Sequence, residues 1–200
     1  MKIKMKTLTL AVSTSLAVGF AGSASAQVSG DTVKLGFVTD ISGLYSDIDG
    51  NGGVEAIKMA IADFGGTVLG KKIELVTADH QNKADIAASK VREWFDQQGV
   101  DAVIGGTNSG TSLSMAKIAQ EKKKPFLAVG AGSARLTNEE CSPYTIHYAY
   151  DTVALAKGTG SAVVKQGGET WFFLTADYAF GHSLEGDTAN VVKKSGGKVQ

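Results

Sequence analysis

The sequence predicts an α/β protein in which a parallel sheet is covered by helices on both faces and a second unit of the same kind begins after it. Short runs rich in β-branched and aromatic residues alternate with segments of helical period. Glycines punctuate the ends of the periodic segments. After an aperiodic stretch at residues 135–143 the alternation restarts.

Taken in order, residues 1–26 stand outside the fold as a leader. Lys2, Lys4 and Lys6 make a basic start, and the apolar run over residues 7–20 falls short of the roughly 18 residues a membrane span needs. Ala24-Ser25-Ala26 is an A-x-A cleavage pattern, so an exported chain beginning at Gln27 is expected; with no Cys at that point, a lipid anchor is not. Residues 33–39 are the first strand. A loop rich in Gly and Asp then leads to a helix whose Val54, Ile57, Ile61 and Phe64 form one apolar stripe, ended by Gly65-Gly66.

Residues 72–78 are the second strand. Ala84, Ala87, Ala88, Val91 and Trp94 or Phe95 mark the next helix, stopped by Gly99. A strand at 102–105, a helix at 111–123, a strand at 125–129 and a loop at 130–133 complete a βαβαβαβ run, and right-handed crossovers place its helices on both faces. Residues 135–143 read as a long surface loop. Residues 145–150 are strand-like and 152–166 helix-like; TWFFL at 170–174 is an apolar strand, 183–194 a helix, and a further strand starts at Lys198. A lone βαβ unit has two faces to bury, so the sequence is expected to be the N-terminal part of a longer chain, with residues 27–147 as a first lobe and 148–200 as the start of a second.

Composition narrows the function classes. Twenty basic residues balance twenty acidic ones, and no basic run follows the leader, which argues against nucleic acid and anionic membrane surfaces as partners. The lone Cys141 closes no intrachain disulfide and is expected to be a buried, structural thiol.

Ligands of open α/β sheets bind at the carboxyl ends of the strands. That rim carries Asp40, Ser42, Gly43 and Tyr45 after the first strand, Asp79 and His80 after the second, Thr107, Asn108, Ser109 and Thr111 after the third, and Gly130, Ala131, Gly132 and Ser133 after the fourth. The run from Gly105 to Thr111 enters a helix directly and offers backbone N–H groups and short hydroxyls, an arrangement suited to an anion; helix capping by Ser109 or Thr111 is the plain alternative. Asp40, Asp79 and Asp177 each follow a strand and serve equally well to hold loops. In the second unit, Asp177-Tyr178-Ala179-Phe180-Gly181 reads as a loop whose Tyr178 and Phe180 supply either ligand walls or core packing.

Enzymatic readings find little support. The loop at Gly105 lacks the P-loop Lys, and Gly130-x-Gly132-x-x-Arg135 lacks the third glycine of a dinucleotide fingerprint. No G-x-S-x-G elbow occurs, and His80, His147 and His182 have no metal-ligand spacing. No catalytic residue, metal or cofactor is expected.

Over essentially all of residues 27–200 the chain resembles the periplasmic solute-binding proteins of ABC transporters, in the branched-chain amino acid class. The resemblance rests on Leu35-Gly36 through Ser42-Gly43, Asp79, Val103-Ile104-Gly105 with its following hydroxyls, Leu136-Thr137, and the segment from Asp177 to Gly181. It implies the type I periplasmic binding fold, two Rossmann-like lobes that close on a ligand, of which the first and the start of the second are present. It implies further that Ser109 holds a ligand carboxylate, that residues 130–133 give backbone groups to the ligand head, and that Phe180 covers it. Gly132 stands where leucine-binding members carry Thr, with Ser133 one position on, and Ile48 where a tyrosine follows the first strand. The implied ligands are an amino acid, an amide or an aromatic acid, and the implied partners are membrane permease subunits. A sensor module of the same fold, or an exported enzyme with its catalytic residues elsewhere, are the competing readings.

Overall fold

The computed structural model describes residues 30–200. The expected leader at residues 1–26 and the expected new terminus at Gln27 lie outside the described residues.

The centre of the molecule is β1 (Thr32–Thr39), whose second half, including Phe37 and Val38, is fully buried. It pairs in parallel with β3 (Lys71–Asp79) along its whole length and with β4 (Ala102–Gly105) on its other side. β5 (Phe126–Ala128) and β6 (Thr145–His147) extend the sheet in parallel. A two-residue strand that the sequence does not announce, β2 (Thr67–Val68), folds back antiparallel on β3, giving the order β2-β3-β1-β4-β5-β6. It forms because Gly65, Gly66, Leu69 and Gly70 all take positive φ and turn the chain sharply.

The strand order reverses beside β1, so right-handed crossovers put α2 (Asn51–Asp63) on one face and α3 (Ala84–Gln97) and α4 (Ser109–Lys122), packed together, on the other. Between α3, α4 and the sheet lies the core: Val91, Trp94, Val100, Val103, Met115, Phe126 and Leu136. Gly36 is fixed by this packing, because a Cβ there would stand 2.5 Å from the Trp94 ring.

Several expectations are corrected. The stripe on α2 buries only Val54, and Phe64 is largely exposed, because that face has little packed over it. α4 begins at Ser109, two residues early, because Asn108 caps it, and it stops at Lys122, where Lys123 turns left-handed. Residues 135–143 are not a featureless loop: a 3-10 turn at Ala134–Leu136 drives Leu136, 1% exposed, into the core. Cys141 is exposed instead of buried, because it lies past that anchor.

Beyond β6, whose ladder ends at His147 and not Tyr150, α5 (Thr152–Leu155), a π-helical turn (Ala156–Gly160) and α6 (Ser161–Lys165) run on as one interrupted helix. The expected strand over 170–174 is only β7 (Thr170–Trp171), paired with β8 (Lys198–Val199). The β7–β8 ladder ends at Trp171, and beyond it Phe172 is 80% and Leu174 98% exposed. α7 runs from Ala179 to Lys194, four residues longer at its start than the sequence suggests.

Candidate functional site

At the carboxyl end of β1 the loop is held by two carboxylates, Asp40 just after β1 and Asp79 at the end of β3. Asp40, 1% exposed, accepts the N–H groups of Gly43 and Tyr45 at 2.9 Å. Asp79 accepts from Ile41 and Gln81 N–H and, at 2.6 Å, from the Ser42 hydroxyl. Burial raises the Asp79 pKa, but these hydrogen bonds, the Ser42 one foremost, outweigh it and leave the carboxyl below its ordinary value. Ser42, a candidate ligand residue, thus has its hydroxyl engaged in holding the β1 loop. Asp177 lies apart from this rim, exposed, and pairs with His182.

At the end of β4 the chain enters α4 with Thr107 half-buried beside Gly130. The helix cap is Asn108, and neither Ser109 nor Thr111 fills that role: Asn108 Oδ1 accepts the Thr111 N–H at 3.0 Å. The Ser112 N–H goes to the Asn108 carbonyl, so the N–H groups of Ser109 and Gly110 are those the helix start leaves for an outside acceptor. Ser109, 1% exposed, accepts the Ser133 N–H on Oγ at 3.1 Å, which ties the α4 start to the loop after β5 and keeps the hydroxyl proton for another acceptor.

That loop is equally pinned. The His147 Nε2–H donates to the Ala131 carbonyl at 2.6 Å, and the Gly132 carbonyl accepts from Thr152 N–H. Gly132 lies flat against aromatic rings: a Cβ there would stand 2.8 Å from Phe180 and 3.1 Å from Tyr150. Ser133, fully buried, shares a 2.7 Å hydrogen bond with the Ser183 hydroxyl on α7.

Tyr178 and Phe180 are therefore brought to the rim, but the segment is no loop. Tyr178 occupies the N-cap position of α7, and Ala179, Phe180 and Gly181 are its first turn. Gly181 lies so close to the Ala176 carbonyl that no side chain fits, which forces the tight entry into the helix. The Tyr178 ring lies 6.0 Å from Phe180 and 6.5 Å from Tyr45. Burial foremost, then the hydrogen bond to Tyr45 and the nearby Tyr150, hold the Tyr178 phenol well above the ordinary tyrosine range, so it is neutral.

Sequence reasoning placed Tyr45 on the rim without assigning it a role, and missed Tyr150 and Ser183 altogether. Ile48, expected in a tyrosine's place, is exposed, while Tyr45 supplies the aromatic on the β1 side. A hollow of about 520 Å³ lies on the far side of the Tyr178 and Phe180 rings: Leu155, Phe173, Leu174 and Leu184 are among its other walls, and no residue of β4, β5 or α4 lines it. It belongs to the uncovered apolar face beside β7. Among the described residues no cluster of His, Cys, Asp and Glu suits a metal ion, and no helix is long and apolar enough to cross a membrane.

Helix-start N–H groups and a hydroxyl thus stand on one side of the rim and aromatic rings on the other, a geometry whose polar side is chemically suited to an anionic group. The family model described as "Periplasmic binding protein" matches residues 32–200. A periplasmic binding protein from Burkholderia mallei is 72% identical over 84% of this chain and 45% of its own, with a TM-score of 0.82. A branched chain amino acid ABC transporter periplasmic ligand-binding protein from Burkholderia xenovorans is 37% identical, over 84% of this chain and 45% of its own, at TM-score 0.72. A solute binding protein of an ABC transporter from Rhodopseudomonas palustris, in complex with 3,4-dihydroxybenzoic acid, is 27% identical over 85% and 46%, at TM-score 0.75. The chain thus spans under half the length of these structures; no curated protein matches it. With that match over the whole described fold, the chain belongs to the periplasmic binding protein family, and its fold is the type I fold of the ABC-transporter members.

Proposed function

We propose that this chain captures a small carboxylate, an amino acid or an aromatic acid, in the periplasm and delivers it to the permease subunits of an ABC uptake system, without chemistry on the ligand. Residues 27–147 form the first lobe in this reading and residues 148–200 begin the second. The observation that carries it is the helix start at Ser109 and Gly110, joined to the loop of residues 130–133 and facing Phe180 across Gly132. The ligand's carboxylate sits on those N–H groups and the Ser109 hydroxyl, and the rings of Tyr45, Tyr150, Tyr178 and Phe180 enclose its apolar part. The branched-chain amino acid transport and dihydroxybenzoate complex of the two Burkholderia and Rhodopseudomonas relatives support that ligand range. Gly132, with no side chain, lets the Phe180 and Tyr150 rings close directly over the loop backbone.

A thermal-shift panel of amino acids, amides and aromatic acids on the full chain tests this. At about a hundred times its dissociation constant a true ligand adds roughly 2.7 kcal/mol of stability. A shift confined to carboxylates supports the reading, and a shift with amides alone moves the recognised group away from a carboxylate. No shift with any compound turns the case toward a sensor or another solute.

A further inference from the structure

Behind the first turn of α4 stands a relay of side chains that the ligand-facing rim does not use. His80, 1% exposed, closes β3 with its N–H on the Thr39 carbonyl. Its Nδ1 accepts the Asn82 backbone N–H at 3.0 Å, so the neutral ring carries its proton on Nε2, and that buried Nε2 has no partner among the described residues. Gln81 and Asn82 follow at φ 52° and 57°, a left-handed turn that asparagine tolerates better than most residues. From this turn Asn82 Oδ1 accepts from Asn108 Nδ2 at 2.5 Å, and Asn108 Oδ1 caps α4 at Thr111.

Capping alone needs only the Asn108 oxygen. The second contact, to Asn82, fixes the amide's rotation, and it is maintained through two left-handed residues and a buried ring with an unsatisfied donor. The Asn108 Oδ1 bond to the Thr111 N–H spans Ser109 and Gly110, so a fixed amide holds the backbone turn that carries their N–H groups.

We propose that Asn82 is a positioning residue for ligand capture: held in its turn by His80, it fixes the Asn108 cap and so aims the first N–H groups of α4. The proposal rests on the reading of that helix start as the carboxylate site. A pH signature follows from the same geometry. The charged groups acting on His80 are Asp40 after β1, Asp49 at the end of α1 (Ser46–Asp49) and Asp79 beside it on β3, while Asn82 and Asn108 are uncharged. Burial outweighs the three carboxylates and holds the imidazole below its ordinary range. Protonation below that range puts a hydrogen on Nδ1, which can no longer accept from Asn82, and the relay loosens.

The test is titration calorimetry on the full chain with L-leucine, benzoate and acetamide, using the compound that wild type binds. Asn82→Gly keeps the left-handed turn and deletes the acceptor; Asn82→Asp keeps an acceptor. Asn82→Gly is expected to weaken binding roughly threefold to tenfold, the loss of one hydrogen bond's orientation, with an unchanged or higher melting temperature. Asn82→Asp is expected to stay within about twofold of wild type. Compared at about pH 7.5 and about pH 5, wild-type affinity is expected to fall only below the ordinary histidine range, and the affinity of Asn82→Gly to fall less. Wild-type affinity in Asn82→Gly at both pH values, or equal weakening in both variants, overturns the relay alone. Failure of wild type to bind any of the three overturns the carboxylate reading and the relay with it.

Discussion

Ser109 and Gly132 meet opposite demands on one rim. Ser109 accepts the Ser133 N–H and still has a proton to give, so Ser109→Ala removes a loop tie and, in the proposed function, a ligand donor. Affinity for a bound carboxylate, measured by calorimetry, is expected to drop by about 1–3 kcal/mol, the range for a hydrogen bond to a charged group. Gly132 matters for what it lacks. A methyl group in Gly132→Ala meets the Phe180 and Tyr150 rings inside van der Waals distance, and stability from urea unfolding is expected to fall by about 1–3 kcal/mol. The place of Ser109 between a strand and a helix was legible in the sequence, because a hydroxyl at that junction is a local signal. The demand on Gly132 was not, since it depends on rings arriving from residues 18 and 48 positions away.

Among the elements, α4 and the 3-10 turn carry the rim. Asn108→Ala deletes the α4 cap and is expected to cost roughly 0.5–2 kcal/mol in urea unfolding, where Ser114→Ala on the same helix costs less. Leu136→Ala tests whether the segment after the fourth strand is a loop or an anchor. With its side chain buried among core residues, a loss of about 2–5 kcal/mol is expected, a size no surface loop residue gives. Periodicity located β4 and α3 to within a residue, because each is followed by a glycine and buries a regular face. It misplaced the start of α7 by four residues, since the DYAFG segment has no capping side chain and its helical turn is fixed by contact with the first sheet's rim.

For the molecule as a whole, His80 and Asp79 link stability to pH on the acid side. His80 has a folded pKa below its ordinary 6.5, so its contribution is complete above pH 6.5 and is lost as pH falls below that value. Asp79 is lowered from 3.8, so its contribution is complete above pH 3.8 and is lost on further acidification. Melting temperature against pH should therefore hold from about pH 6.5 up to the ordinary tyrosine range and decline in two stages beneath 6.5, and His80→Gln should remove the upper stage only. A single decline centred near pH 4 would show that His80 titrates as a free histidine.

By itself the sequence determined the α/β class, the order of strands and helices and the hydroxyl-rich entry to α4, because each follows from local periodicity, glycine placement and short-range capping chemistry. It did not determine the cap residue, the aromatic wall or the His80-Asn82-Asn108 relay. Those join β3, α4, the loop after β5 and α7, which are distant along the chain, and only the parallel sheet, by carrying all their strand ends to one edge, decides which side chains meet.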